Sequence, residues 1–173
     1  MAISEYTIRL AELDEVMRMP EIECAAAKLF RETPYDYLVD SEPHSLEFYK
    51  ARQQENLLWV VVDCENHPVG FAAVRILDDE VYLHELDVVP EHGRKGLGTR
   101  LIFAVGDWAN SAGFSAITLS TFMDVAWNAP FYEKLGFRIL GDDELTEPFK
   151  TIRREEAENQ LPLDKRVLMR WNF

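Results

Sequence analysis

Residues Val88–Leu101 read VVPEHGRKGLGTRL, and the reading of this stretch decides the fold. Pro90 stops the preceding strand from extending its ladder. Gly93, Gly96 and Gly98 remove side chains where a ligand approaches the backbone, and a helix beginning near Gly96 presents unpaired N–H groups and the positive end of its dipole. That combination suits an anion such as a diphosphate. Arg94 and Lys95 add positive charge in a chain that is otherwise acidic. Three glycines in a strand-to-helix turn are not specific, and a tight turn without a ligand is the plain alternative. Their order is G-x-x-G-x-G, the reverse of the dinucleotide-binding G-x-G-x-x-G, and G-L-G-T lacks the G-K-[ST] ending of a nucleotide P-loop.

Upstream, Leu57–Val62, Val69–Leu77 and Val81–Val89 are apolar, β-branched runs separated by Asp63–Pro68 and Asp78-Asp79. They predict an antiparallel meander. Tyr6–Ala11 predicts a first strand within MAISEYTIRL, a start with no signal-peptide pattern. Pro20 opens a helix through EIECAAAKLFR with Ile22, Ala25, Ala26, Leu29 and Phe30 on one face, and Pro34 ends it. Ser45 caps a second helix over Leu46–Glu55. Downstream, Leu97, Leu101, Ile102, Val105 and Trp108 mark a helix from about Gly96 to Asn110, terminated by Gly113. Ser115–Thr121 follows as a strand parallel to Val81–Val89. A short helix Ala129–Leu135, a strand Phe137–Leu140, a charged helix around Phe149–Gln160 and a strand Arg166–Trp171 complete the chain. The charged helix reads as a solvated face without chemistry.

The chain has 173 residues, 47% of them hydrophobic, and no repeat or linker, which predicts one domain spanning 1–173. No apolar run is long enough for a bilayer. The net charge of −13 argues against nucleic acid; it favours encounter with a cationic substrate such as an amine, or serves solubility alone. Cys24 and Cys64 read as reduced core thiols of a cytoplasmic protein. No metal is expected, Cys64 and His67 being a lone pair. His44 and His67 read as surface residues, and His92 as ordering its turn or nearing a cofactor.

With a second stretch, Asn128–Phe137 (NAPFYEKLGF), the loop resembles the GNAT superfamily of N-acetyltransferases. In that family a strand ending in V-x-P leads into [Q/R]-x-x-G-x-[G/A] at a helix start, and a later helix bearing a tyrosine ends in G-F. Gly96 and Gly98 match the first motif, whereas Gly93 stands where Gln or Arg is usual. The resemblance covers about Val60–Leu140. It implies an α/β (α+β) fold: a mixed, mostly antiparallel sheet of about seven strands, with helices on both faces, splayed at the central parallel pair.

The resemblance also implies an enzyme that moves an acetyl group from acetyl-CoA directly to a primary amine of a small molecule. A non-catalytic acyl-CoA-binding module and a protein N-terminal or lysine acetyltransferase are the alternatives. The backbone of Leu86, Asp87 and Val88 would hold the pantetheine arm, with the Val88 N–H facing the developing oxyanion. Gly93, Arg94, Lys95, Gly96, Leu97, Gly98 and Thr99 would hold the pyrophosphate. Tyr132 would contact the sulfur and protonate the departing thiolate, or simply pack beside Phe131 and Phe137. Asn128 caps its helix, contacts the cofactor, or does both; Val125 stands at the family's usual asparagine position. His84 and Glu85 are the two choices of general base, and alternation puts Tyr82, His84, Leu86 and Val88 on one face and Leu83, Glu85 and Asp87 on the other. Phe122, Trp127, Tyr35 and Tyr37 line an acceptor pocket or fill the core, and the final strand offers an edge for a homodimer.

Overall fold

A computed structural model describes residues 5–173, which include the whole of the first expected strand, Tyr6–Ala11. The strands are β1 (Thr7–Leu10), β2 (Leu58–Val62), β3 (Pro68–Leu77), β4 (Glu80–Val88), β5 (Ala116–Phe122), β6 (Arg138–Ile139) and β7 (Arg166–Asn172). The helices are α1 (Met19–Ala27), α2 (Leu46–Gln54), α3 (Leu97–Ser111), α4 (Ala129–Lys134) and α5 (Glu147–Glu158). The strands form one seven-stranded sheet in the order β1-β2-β3-β4-β5-β7-β6. β4 and β5 run parallel, from Glu80↔Ala116 to Leu83↔Leu119, while β4 itself continues to Val88. β1 with β2, β2 with β3, β5 with β7 and β6 with β7 are antiparallel. The final strand is therefore internal, bonded to β5 on one side and β6 on the other, and the expected dimer edge at β7 is not there; the outer strands are β1 and β6.

The chain packs as two compact units, the first comprising the described part of Met1–Arg75 with Glu85–Val105, the second Ile76–His84 with Gly106–Phe173. In the first unit every residue of β2 is buried, and Tyr49 of α2 sets its ring edge-on against Phe71 of β3, 5.3 Å between centroids. Ser45 caps α2 as expected, its hydroxyl accepting from the Phe48 amide. In α1, Met19, Ile22 and Ala26 are buried, but Leu29 is exposed because the chain tightens to a 3-10 turn at Lys28–Phe30 and the helical face is lost. Leu97, Leu101, Ile102 and Val105 of α3 are all buried, the spacing that the sequence pattern requires.

In the second unit Tyr82, Leu140, Phe149, Ile152 and Leu168 form one core cluster. α5 is more than a solvated face: besides Phe149 and Ile152 it buries Glu156. That carboxylate is satisfied by the Ser120 hydroxyl, by Arg166 Nε at 2.7 Å and by Arg153 at 3.3 Å, which is what allows a charge to be buried there. The two thiols are free but exposed, not in the core. Among the described residues no helix is long and apolar enough to cross a membrane.

Gly70 controls how closely β3 can run beside the end of β4. A Cβ there would sit 2.7 Å from the Asp87 carbonyl oxygen and 2.9 Å from side-chain atoms of Val61 and Val88. The first of these is backbone and cannot rotate away. Gly70→Ala is expected to destabilise the fold by about 1–3 kcal/mol through overpacking, measured by urea denaturation, with a larger loss for Gly70→Val.

Candidate functional site

β4 leads through a short 3-10 turn, Pro90–His92, into the glycine loop. The His92 amide bonds the Val89 carbonyl and the Gly93 amide bonds that of Pro90. Gly93 serves this tight turn, since a Cβ would lie 3.1 Å from the Pro90 oxygen. Arg94 and Gly96 then both take left-handed backbone conformations, φ 56° and 73°. The side of Gly96 on which a Cβ would stand is open space. The Gly96 carbonyl accepts the first helical bond of α3, from the Arg100 amide at 3.0 Å. The amides of Leu97, Gly98 and Thr99 thus belong to the first turn, where a helix supplies no internal acceptor. Leu97 is buried and anchors the helix start, while Arg94 and Lys95 are exposed.

Tyr6, just before β1, ties this loop down, a role that no motif signalled. Lys95 Nζ donates to its hydroxyl at 2.8 Å, and Arg100 donates to its backbone carbonyl at 3.0 Å. The same hydroxyl is hydrogen-bonded to His92 Nδ1, 2.8 Å away. His92 orders its turn in this way, one of the two roles expected of it.

A second polar group in the same unit gathers around Glu85. His44 is not a surface residue: its side chain is 31% exposed and pairs with Glu23. Nδ1 lies 2.9 Å from one Glu23 oxygen, while the His44 amide and the Tyr49 hydroxyl donate to the other. The ring stacks on Phe48 with centroids 4.3 Å apart, and Nδ1 is 3.9 Å from a Glu85 oxygen. Burial opposes charge on His44, but the Glu23 hydrogen bond and the Glu85 and Glu23 charges outweigh it and raise the imidazole pKa. Burial also opposes the Glu23 carboxylate, yet the bonds from His44 and Tyr49 win and lower its pKa.

Asp87 has the opposite fate. Its Oδ2 is sealed from solvent; burial, then the charges of Glu85 and Glu23 drive its pKa well above the usual carboxylate range. Glu85 and Asp87 fall on one face of β4, as alternation requires. One donor atom from each of Glu23, His44 and Glu85 falls within 4.8 Å of the others, but both Glu23 oxygens are already engaged by His44 and Tyr49.

Tyr132 and Asn128 lie in the second unit, as does His84, whose ring stands edge-on to that of Tyr82 at 6.0 Å. The amide of Phe137 bonds the Tyr132 carbonyl and that of Gly136 bonds Glu133. With Gly136 at φ 100° this is a Schellman end to α4. It fixes the tyrosine ring 5.2 Å from that of Phe131 and 5.5 Å from that of Phe137. Asn128 sits at the N-cap position, but its side chain does not cap. Its Oδ1 instead accepts from the Thr121 hydroxyl at 2.6 Å and the Phe122 amide at 3.4 Å, so the expected side-chain cap is replaced by a tie to the end of β5. Phe122 and Tyr35 are buried, whereas Trp127 and Tyr37 are 41% and 52% exposed.

The profile of the acetyltransferase (GNAT) family matches residues 23–137. The fold is shared with the PaiA N-acetyltransferase of Thermoplasma acidophilum in complex with coenzyme A, at 18% identity and TM-score 0.72 over 97% of this chain and 99% of that one. It is shared too with the ribosomal-protein-S18-alanine N-acetyltransferase of Escherichia coli, at 20% identity and TM-score 0.67 over 96% and 93%. The N-acetylglutamate synthase of Neisseria gonorrhoeae, complexed with coenzyme A and N-acetyl-glutamate, matches at 18% identity and TM-score 0.71, over 99% of this chain and 36% of that one. At these identities the likeness is one of fold.

The Glu23–His44 pair dictates a pH window for stability. Glu23, with its lowered folded pKa, stabilises above its unfolded value of about 4.3 and loses that contribution as pH falls through the folded pKa. His44, raised, contributes fully below about 6.5 and loses its share as pH rises through its folded pKa. The difference in melting temperature between the natural chain and His44→Gln is therefore expected to be largest between about pH 4.3 and 6.5 and to shrink on either side.

Proposed function

Because the chain belongs to the GNAT family of acetyltransferases, we propose that residues 1–173 work as one acetyltransferase domain that moves an acetyl group from acetyl-CoA directly to a cationic primary amine of a small molecule. The observation that carries this reading is the left-handed turn at Arg94–Gly96, which opens onto the first-turn amides of α3. Open space at Gly96 fits the close approach of a diphosphate, and the helix start favours its charge.

Acetyl-CoA supplies an acetyl group activated as a thioester. The first-turn amides of Leu97, Gly98 and Thr99, with Arg94, hold the diphosphate. The backbone of Leu86, Asp87 and Val88 holds the pantetheine arm, and the Val88 N–H polarises the acetyl carbonyl, where a fixed donor is worth most as charge develops. Glu85 removes a proton from the acceptor ammonium, since only the neutral amine can attack. His84, its neighbour on β4, is the alternative base. Tyr132 donates its phenolic proton to the sulfur as the C–S bond breaks; a phenol is protonated at neutral pH and so is able to donate. The rings of Phe131 and Phe137, edge-on to that of Tyr132 at 5.2 and 5.5 Å, support that role by restricting where the phenol can point. The carboxylates at Glu23 and Glu85 and the net charge of −13 support a cationic acceptor.

Calorimetry is expected to show uptake of acetyl-CoA by the folded protein. An amine panel that includes lysine-bearing and free N-terminal peptides should release free thiol with small primary amines and not with peptides. Uptake without thiol release under any amine would reduce the function to binding. Tyr132→Phe should lower kcat by roughly 10²–10⁴-fold with the affinity for acetyl-CoA little changed. Tyr6→Phe removes the hydroxyl shared by Lys95 and His92 and should weaken acetyl-CoA binding about tenfold, the worth of one to two hydrogen bonds.

A further inference from the structure

His44 stands outside every motif, yet it is the hub of a polar cluster built from three elements. Glu23 comes from α1, Tyr49 and Arg52 from α2, and Glu85 and Asp87 from β4. The imidazole is held by four contacts: the Glu23 carboxylate at 2.9 Å, the Phe48 ring stacked on it, the Tyr49 ring edge-on at 6.2 Å, and its own amide bonded to Glu23. An imidazolium so fixed cannot swing away from Glu85, whose oxygen is 3.9 Å from Nδ1. Two residues along the same strand, and so on the same face, lies a second acid, Asp87, whose Oδ2 is buried without a hydrogen-bond partner. Two neighbouring acids share protons unless something decides which of them stays charged.

We propose that His44 is a positioning residue for acetyl transfer: pinned by Glu23, its imidazolium keeps Glu85 negatively charged and leaves the shared proton on Asp87, so that Glu85 takes the proton of the acceptor ammonium. This rests on the reading of Glu85 as the base. In that step an N–H bond of the ammonium breaks and an O–H bond forms at Glu85, and the freed nitrogen lone pair attacks the acetyl carbon. A C–N bond forms, the C–S bond breaks, and the sulfur takes up a proton delivered by Tyr132; the second nitrogen proton lost on forming the amide restores that balance.

The surroundings of each member agree with its part. Glu23 is spent on His44 and Tyr49, both of its oxygens being engaged, so it serves as the anchor and not as the base. Asp87 is the acid whose Oδ2 is sealed from solvent, the poorer place for a charge. Glu85 keeps 29% of its side-chain surface and is the carboxylate that an incoming amine can reach. Arg52 is the cation that opposes charge on His44; its guanidinium is drawn over the Phe48 ring, 4.3 Å from the centroid, and the two Glu23 bonds prevail.

Carboxylate NMR titration of Glu85 in the natural chain, His44→Gln, Glu23→Gln and His44→Arg tests this without any need for turnover. Loss of one opposite charge at this distance should move the Glu85 midpoint up by about one unit or more. His44→Gln should do this fully, Glu23→Gln in part with a fall in the His44 midpoint, and His44→Arg should restore the natural value. Where an amine is acetylated, the acid limb of kcat/KM should move by the same amount in His44→Gln, giving about a tenfold loss on that limb that recovers at alkaline pH. A Glu85 midpoint that stays in place in both His44→Gln and Glu23→Gln overturns the inference, as does a loss of kcat/KM equal at all pH values. Should no amine be acetylated while the Glu85 midpoint moves, the coupling stands and the reading of Glu85 as a catalytic base falls; the two failures are thereby told apart.

Discussion

The amides at the start of a helix cannot bond within their own helix, and how that deficit is handled at Leu97–Thr99 governs everything around them. A protein with no use for an anion would cap such a turn with a Ser, Thr, Asp or Asn side chain. This chain instead places Gly96 there, in the left-handed region with open space on its Cβ side. The choice has a cost. Arg94 also adopts a left-handed conformation, about 1–2 kcal/mol of backbone strain for a residue with a Cβ. Tyr6 offsets it by tying His92, Lys95 and Arg100 to the start of β1. The loop is thus stabilised from the side by one buried tyrosine.

The acidic group around Glu85 is the complementary problem. Carboxylates brought together and partly desolvated repel one another and lose hydration, so each needs a stated solution. Glu23 is solved by His44 and Tyr49 and Glu85 by the nearby imidazole, while burial pushes the Asp87 carboxyl toward its neutral form. The glycine loop and the acid cluster meet on β4: Glu85 and Asp87 are on the strand, and the loop begins at its end. Gly70 lets β3 lie against the Asp87 carbonyl at that point, so the backbone between the two sites has little room to move.

The elements with strong local chemistry were legible in the sequence. Gly113 and Gly136 both end their helices by the bonding pattern expected of a glycine past the last turn, and Ser45 caps α2. The two motifs located the loop and the tyrosine helix. What escaped was whatever depends on separation in sequence. His44 and Glu23 are bonded at a separation of 21 residues, across an irregular segment with no periodicity, and Tyr6 meets His92 and Lys95 from the far end of the chain. Asn128 has the residue type and position of a side-chain cap, but its oxygen is taken by Thr121, a partner only the fold supplies. Cys24 and Cys64, apolar by neighbourhood, proved exposed, because burial follows the face of an element and not its mean composition. The last strand lies where the pattern puts it, but its reading as an edge failed for a similar reason: pairing order is not sequence order, and β6 pairs on its outer side.

These escapes share a direction. The motifs specify how the backbone presents itself to a common donor, a task that glycines and helix starts perform in any sequence that supplies them. The cluster around Glu85 is built from side chains of α1, α2 and β4 that converge only in three dimensions. A positive loop made mainly of amides needs few charged side chains and can therefore persist in a chain of net charge −13. Part of the excess of acid gathers at the other group, where Glu23 and Glu85 both approach His44. Opposite local fields at the two ends of one strand segment would draw an anionic donor and a cationic acceptor to different places. In the proposed reaction each field would repel the partner meant for the other, so the order of charges along β4 and its loop would give the two ligands distinct destinations before any shape is read.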